Sequence, residues 1–419
     1  MKTETKMNSK DRNTVRDLAR QVAELAHSPE NARRLRLWCD VNSLRKPERP
    51  PVICHPGEGA WAELLPDSAL TCTDPFLKGI ECQFRQTLYK WEIGDDTVID
   101  TGTPVWTVMR LKGKHFWGLP ITHIQPSASS STSPTVTAWR YDPPLKEESD
   151  IDKIVPPAYS HDSEATRESL SRMHDLLGDI LPVREVCGVP GPGAWMHGWA
   201  TELRGVEQLL VDLMDRPEWV HRLMRTLMDG FLGVMDQFEK AGVLTLNNTG
   251  WYACDDLPGK DFNPSHVRLK NLWGRGESQE FHGVSPAQYD EFLLQYQKPI
   301  LARFGITFYG CCEDLTAKIP LVLSIPNLRK FVCSAWTDLG KLTAAVGDRY
   351  AIEWRQSATN VVHADNLSAV RRHLEEGLAL ARGCRIMVVL QELETVNHNR
   401  RRLPEWAALA KDVAARCST

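Results

Sequence analysis

The sequence lacks the features that mark a membrane, secreted or nucleic-acid-binding protein. No stretch of its 419 residues approaches the roughly 18 consecutive apolar residues that a membrane-spanning helix needs. The polar residues 1–13 contain no apolar segment typical of a secretory signal. Charge of one sign is not in excess, since 50 basic residues oppose 54 acidic ones. We therefore expect a cytoplasmic protein that binds neither nucleic acid nor a membrane.

Motifs for nucleotide binding and for a disulfide framework are also lacking. Neither GxGxxG nor GxxxxGK[ST] occurs, so a doubly wound nucleotide-binding fold is not favoured. The 11 cysteines are odd in number and scattered, which predicts mostly free thiols in a reducing compartment. One low-complexity stretch, QPSASSSTSP, predicts an exposed loop near residues 125–136.

A regular alternation of strands and helices is present instead. Predicted helices separate short apolar runs that read as strands at 51–54, 183–186, 243–246, 306–309, 330–333, 350–354 and 385–390. Such alternation indicates a parallel sheet, and a barrel is favoured in the absence of nucleotide motifs. Before the first strand, apolar residues at helical spacing predict an N-terminal helical extension in residues 1–49. The barrel then spans 50–419.

The strand predicted at 306–309 ends in two thiols and a carboxylate, Cys311, Cys312 and Glu313. Catalytic and binding groups of a barrel lie at this end of its strands. Thiolates suit zinc and other soft metals, and a carboxylate can complete a tetrahedral site that keeps an open position. The alternative is a pair of small residues that pack beneath a turn.

Other predicted strand ends carry further candidates. Glu392 could bind a metal or act as a general acid or base, because burial would raise the pKa of its carboxyl group. Arg355 could clamp a substrate carboxylate or form a structural bridge to Glu392. We also consider Glu313 and Asp338 as catalytic. The substrate-binding candidates are His55, Asn247, Asn248, Tyr252, Tyr309, Trp336 and Gln356. Aromatic and amide groups suit a flat or cationic small molecule, although with 14 tryptophans a single ring could equally serve packing.

Residues from about 181 to 394 resemble the uroporphyrinogen decarboxylase superfamily. The resemblance rests on LPVREVCGVPGP, AGVLTLNNTGW, GVSPAQYDEFLLQYQKPILARFGITFYGCCEDL and KFVCSAWTDLGKLTAAVGDRYAIEW. That superfamily includes the decarboxylase itself and methyltransferases that serve corrinoid proteins and thiols. The resemblance implies an α/β fold, a TIM-like (β/α)8 barrel with its pocket at the C-terminal mouth.

The resemblance also suggests where a metal would lie. In the family's methyltransferases, zinc is held by a His-x-Cys pair and by a later cysteine. Tyr309-Gly310-Cys311 stands at the first position and Glu392 at the second, so that Cys311 alone matches by type. The loop at 54–59 lacks the arginines that hold substrate carboxylates in the decarboxylase, which disfavours a porphyrin substrate.

The sequence thus favours methyl transfer from a small methylated substrate to a corrinoid protein or a thiol. Cys311, Cys312 and Glu392 would hold the metal, expected to be zinc, while Arg355 and Asn247 orient the substrate. A corrinoid would arrive on a separate partner protein, and the superfamily implies a homodimer. Two alternatives stay open: a lyase that decarboxylates a small acid with Arg355, and a non-catalytic barrel that binds a metal or ligand.

Overall fold

The computed structural model describes residues 8–124, 140–190 and 195–417. The loop predicted near 125–136 lies outside these residues. The strands are β1 (Val52–Pro56), β2 (Thr103–Trp106), β3 (Met109–Lys112), β4 (Thr122–Ile124), β5 (Arg140–Asp142), β6 (Ala158–His161), β7 (Val183–Val186), β8 (Trp273–Gly276), β9 (Ile306–Tyr309), β10 (Leu328–Cys333), β11 (Ala351–Gln356) and β12 (Arg385–Leu393).

Helices surround these strands. They are α1 (Ser9–Ala26), α2 (Pro29–Asn42), α3 (Glu58–Leu64), α4 (Pro75–Glu92), α5 (Ser163–Leu177), α6 (Met196–Arg204), α7 (Val206–Asp215), α8 (Pro217–Ala241), α9 (Pro286–Tyr289), α10 (Gln295–Leu301), α11 (Ile319–Val322), α12 (Leu339–Val346), α13 (Ala358–Val362), α14 (Ser368–Leu380) and α15 (Arg402–Arg416). A π-helical turn, Asp290–Leu294, joins α9 to α10. Among the described residues, no helix combines the length and apolar character needed to cross a membrane.

The main sheet is parallel, curled and open. Its six strands follow the order β1-β12-β11-β10-β9-β8. β2 and β7 form a separate parallel pair, while β3 pairs with β6 and β4 with β5 in antiparallel fashion. The predicted α/β architecture with a parallel sheet and N-terminal helices is confirmed. The predicted closure into eight strands is not found, since the described part of the chain forms a half-barrel.

The segment between β7 and β8 explains the opening. Residues 243–246 were predicted as a strand, but the structure has none there. The Thr245 hydroxyl accepts a hydrogen bond from the Cys187 backbone N–H at 2.8 Å. The Asn247 side-chain amide bonds both backbone groups of Trp273, at 3.0 and 2.9 Å. One backbone bond is present, from the Thr245 N–H to the Cys187 carbonyl at 3.1 Å, but side chains bond the Cys187 N–H and both backbone groups of Trp273. The segment therefore bridges the two sheets without forming a strand of either.

Helix α2 begins with residues typical of a helix N-terminus. The Ser28 hydroxyl accepts from the Asn31 N–H at 3.1 Å, and Pro29 occupies the first helical position of α2. Trp38 and Val41 of α2 then pack into one apolar cluster with residues from three strands of the sheet: Ile53, Ala351, Met387 and Val389. The extension thus contributes to the packing of the sheet. The boundary at residue 49 stays a prediction.

Strand periodicity divides the sheet into an inner face and a helix-covered face. On β9, Ile306 and Phe308 lie in the inner cluster, whereas Tyr309 packs with the outer helices. On β11 the same alternation places Glu353 and Arg355 on the inner face. The inner face therefore carries charged side chains close to one another.

Candidate active site at the open end of the sheet

The turn after β9 brings two sulfur atoms together. Gly310 adopts φ +113°, and a Cβ there would lie 2.8 Å from the Val332 carbonyl oxygen, so the turn requires glycine. Directly after this turn, the Cys311 and Cys312 sulfur atoms lie 3.4 Å apart. Both residues are half-buried, so the pair lies at the border between core and solvent.

Two guanidinium groups face the Cys311 sulfur. Arg355 Nη1 lies 3.6 Å from it and Arg275 Nη2 lies 3.8 Å from it. The pKa of the Cys311 thiol is lowered, first by the hydrogen bond from Cys312 and also by the charge of Arg355, against burial and the charge of Glu277. The pKa of Cys312 is raised by its contact with Cys311 and by burial. The two shifts favour ionisation of Cys311 over that of Cys312.

Arg355 also links Cys311 to charged groups deeper in the sheet. Its Nε and Nη2 each lie 3.0 Å from Glu353 Oε1, and Lys330 Nζ lies 3.1 Å from Glu353 Oε2. Burial raises the pKa of Glu353, but the charges of Lys330 and Arg355 outweigh it and leave that pKa at about 2. The side chains of Cys311, Arg355, Glu353 and Lys330 thus form a continuous row of ionisable groups along the inner face.

Lys330 is enclosed by aromatic rings. Its Nζ lies 4.8 to 5.7 Å from the ring centroids of four residues, Trp251, Tyr252, Trp273 and Phe308. Burial lowers the pKa of Lys330, and Glu353 opposes that effect. Tyr252, predicted to contact a substrate, therefore faces a cation that the protein itself supplies.

Several other predicted substrate residues are engaged in the fold. Asn247 holds the Trp273 backbone, and the Asn248 amide donates to the Leu257 carbonyl at 3.1 Å. The Tyr309 hydroxyl donates to Gln297 at 2.7 Å on the helix-covered face. Gln356 lines a cavity of about 570 Å³ with residues of α13 and α14. The structure does not place these four side chains beside Cys311.

Glu313 and Asp338 hold local structure. The buried Glu313 carboxylate accepts from the backbone N–H and hydroxyl of Ser278 and from the Cys311 N–H, at 2.7, 3.0 and 2.8 Å. It thereby fixes the turn that carries the two thiols. Asp338 accepts from the Lys341 N–H at 2.9 Å and so caps α12.

Glu392 does lie at the thiol pair. Its backbone has φ +63° near the irregular pairing of β1 with β12, a conformation that costs energy for a non-glycine residue. Its Oε1 is 3.6 Å from Arg355 Nη1, and its hydrogen bond with Cys312 contributes to the raised pKa of that thiol. The predicted bridge between Arg355 and Glu392 is therefore present, and Glu392 is half-exposed.

Two further predicted residues border this region. His55 packs its ring against Trp251 at 4.6 Å, and burial lowers the pKa of His55 to about 3. Trp336 is 71% exposed and lines an open groove of about 540 Å³, together with Cys312 and His282. The groove provides a route from solvent to the thiol pair.

The side chains around the thiol pair differ from those of the predicted zinc site. Within the described ranges, no three or more His, Cys, Asp or Glu side chains are grouped so as to hold a metal ion. Arg275 and Arg355 instead place positive charge on two sides of Cys311. The arrangement of Cys311, Cys312 and Glu392 does not fit a zinc ion.

Sequence reasoning did not select three of the charged residues described above, Arg275, Lys330 and Glu353. Lys330 and Glu353 are charged residues next to apolar residues in buried parts of their strands, and a buried charge of this kind is a usable signal of internal pairing. Arg275 lies in β8, whose Trp-Gly-Arg-Gly sequence has too few β-favouring residues to be read as a strand.

Comparison with known proteins supports the fold. No protein-family model matches the chain, and no curated protein matches it. Among solved structures, a methyltransferase from Methanosarcina mazei matches with a TM-score of 0.51 and 10% sequence identity. The match covers 90% of this chain and 97% of that chain. The chain therefore has a distant structural similarity to a methyltransferase, and at this identity the likeness concerns the fold alone.

Proposed function

We propose that this protein is a methyltransferase in which the Cys311 thiolate is the nucleophile. The observation that supports the proposal most is the position of Cys311 between Arg275 and Arg355. A thiolate is the reactive form of cysteine, and two guanidinium groups stabilise it in the way that a bound metal would. The distant likeness to a methyltransferase is consistent with this chemistry.

In the proposed first step, Cys311 Sγ attacks the methyl carbon of a small donor. A carbon–sulfur bond forms, the bond from carbon to the donor heteroatom breaks, and its electron pair stays on that heteroatom. A methylated onium compound suits this site best, since its heteroatom leaves as a neutral group and needs no acid. The anionic thiolate and the cationic donor also cancel their charges in the transition state, which a partly desolvated site favours.

The second proposed step regenerates the thiolate. The acceptor attacks the methyl carbon as a thiolate or as a reduced corrinoid, with its own electron pair, and Cys311 Sγ leaves with the electrons of the carbon–sulfur bond, again stabilised by the two guanidinium groups. The acceptor would be a small thiol or a corrinoid carried by a separate partner protein. The groove beside Cys312 and Trp336 would admit it. The expected cytoplasmic location and homodimer stay part of this proposal.

The lyase alternative has less support from the geometry. A carboxylate clamp needs free guanidinium donors. Arg355 already directs Nε and Nη2 at Glu353, and Arg275 Nη2 lies 2.7 Å from Glu277 Oε2.

The proposal is tested by peptide mass spectrometry after incubation with small methylated ammonium and sulfonium compounds. We expect one methyl group on Cys311, its transfer to an added small thiol or reduced corrinoid, and no labelling in Cys311→Ser. Cys82→Ser is the matched control, because Cys82 is a half-buried thiol on α4 whose pKa is raised by burial. Failure of every donor to label Cys311, or equal labelling of Cys82, would exclude the proposed nucleophile.

A further inference from the structure

The thiol pair has a second chemical property that does not depend on methyl transfer. A cysteine is readily oxidised when its thiol has a low pKa, is reached by solvent and has another thiol beside it. Cys311 and Cys312 meet the geometric conditions, since their sulfur atoms are 3.4 Å apart and Cys312 lines an open groove. The five buried thiols lack this access: Cys54, Cys72, Cys187, Cys254 and Cys333.

The surrounding charges assign different roles to the two sulfur atoms. Cys311 faces Arg275 and Arg355 at 3.8 and 3.6 Å, and these two guanidinium groups oppose the nearby Glu277 carboxylate. Cys312 faces Glu392, which disfavours a second thiolate. Cys311 is thus suited to attack an oxidant, and Cys312 is suited to react with the product as the resolving thiol.

We propose that Cys311 and Cys312 form a peroxide-oxidised site that closes into a reversible disulfide. The Cys311 thiolate attacks hydrogen peroxide, the O–O bond breaks, and Cys311 sulfenic acid and hydroxide form. The two guanidinium groups lie where they can stabilise the leaving hydroxide. The Cys312 thiol then attacks the oxidised sulfur, and a disulfide and one water molecule result. Two electrons pass from the thiol pair to peroxide.

Neighbouring cysteines favour rapid reduction of such a bond. Consecutive Cα atoms are about 3.8 Å apart, whereas disulfides usually join Cα atoms roughly 4.4–6.8 Å apart, and departure from that range makes the bond easier to reduce. The product would therefore return to thiols under mild reduction.

The test measures oxidation of each cysteine in the intact protein by peptide mass spectrometry at neutral pH. Hydrogen peroxide should oxidise Cys311 about tenfold or more faster than Cys82, because nearby opposite charges lower a pKa by about 1–3 units. The product should be a 311–312 disulfide that a small dithiol reverses. In Cys312→Ala, Cys311 should instead accumulate as a sulfenic acid trapped by dimedone.

Three outcomes would overturn the proposal. They are oxidation of Cys311 no faster than that of Cys82, a disulfide to any other cysteine, and a Cys312→Ala protein in which dimedone labels no sulfenic acid. Because the wild-type measurement involves no substitution, a folding defect cannot explain a negative result. The readout requires no methyl donor, so this proposal and the proposed function can fail separately.

Discussion

Lys330 and Cys311 are ionisable residues on neighbouring strands of one sheet, and they differ in burial and in position along the strand. Lys330 lies within β10, buried among four rings and 3.1 Å from Glu353. Cys311 lies just past the end of β9, half-buried and next to an open groove. Glu353 and Arg355 connect the two. Position along the strand thus separates a charge that serves the fold from a charge that is available for chemistry.

Removal of the Glu353 carboxylate, which Lys330 and Arg355 share, should have the largest effect. Glu353→Ala leaves Lys330 and Arg355 without their buried counter-charge, and loss of one partner of a buried ion pair costs about 3–5 kcal/mol. We expect a drop of that size in the free energy of unfolding, measured by urea denaturation.

Glu392→Ala is the matched control, because Glu392 contacts the same arginine but is half-exposed. Its removal should change the free energy of unfolding by about 0.5 kcal/mol or less. Equal effects of the two substitutions would contradict the distinction between the buried and open ends.

The contact between Asn247 and β8 provides a second test. Asn247→Ala removes the amide that bonds both Trp273 backbone groups, and we expect a loss of about 2 kcal/mol in unfolding free energy. Asn360→Ala, at an exposed position, is the control and should have little effect. If Asn247→Ala were as stable as the control, Asn247 would be free for the substrate role that the sequence suggested.

A third test concerns the effect of Arg275 on the pKa of the Cys311 thiol. Arg275→Met removes one of the two guanidinium groups near Cys311 and should raise the pKa of its thiol. Arg275→Lys should retain most of the lowered pKa. The pH dependence of Cys311 alkylation measures both. An unchanged profile in Arg275→Met would show that Arg275 does not stabilise the thiolate.

Much of the sheet could be predicted because its strands carry local signals. Residues 306–309 form a continuous apolar run that ends at glycine, and the structure places β9 there. The same reasoning found Cys311 and Cys312 at the strand end and anticipated the contact between Arg355 and Glu392. These predictions depend on chain direction and strand order, which an alternating pattern determines.

The rest depends on contacts between distant residues. Residues 243–246 read as a strand, but the Cys187 and Trp273 backbones are bonded by side chains, which periodicity does not reveal. Similarly, Tyr252 looks like a ligand-binding ring until Lys330, 78 positions later, is seen to lie 4.8 Å from its centroid. Contacts between residues on different strands determine whether such a side chain is free to bind a ligand, and a local sequence pattern does not predict those contacts.

The pH dependence of iodoacetamide alkylation at Cys311 in the wild-type protein tests most directly whether the Cys311 thiolate is stabilised. Peptide mass spectrometry follows the reaction, with Cys82 as the internal reference. Alkylation follows the thiolate fraction, which rises as the pH passes through the pKa. We predict that Cys311 reaches half its maximal rate at a lower pH than an ordinary thiol, and Cys82 at a higher pH. A Cys311 profile that coincides with that of Cys82, or lies at higher pH, would contradict the account.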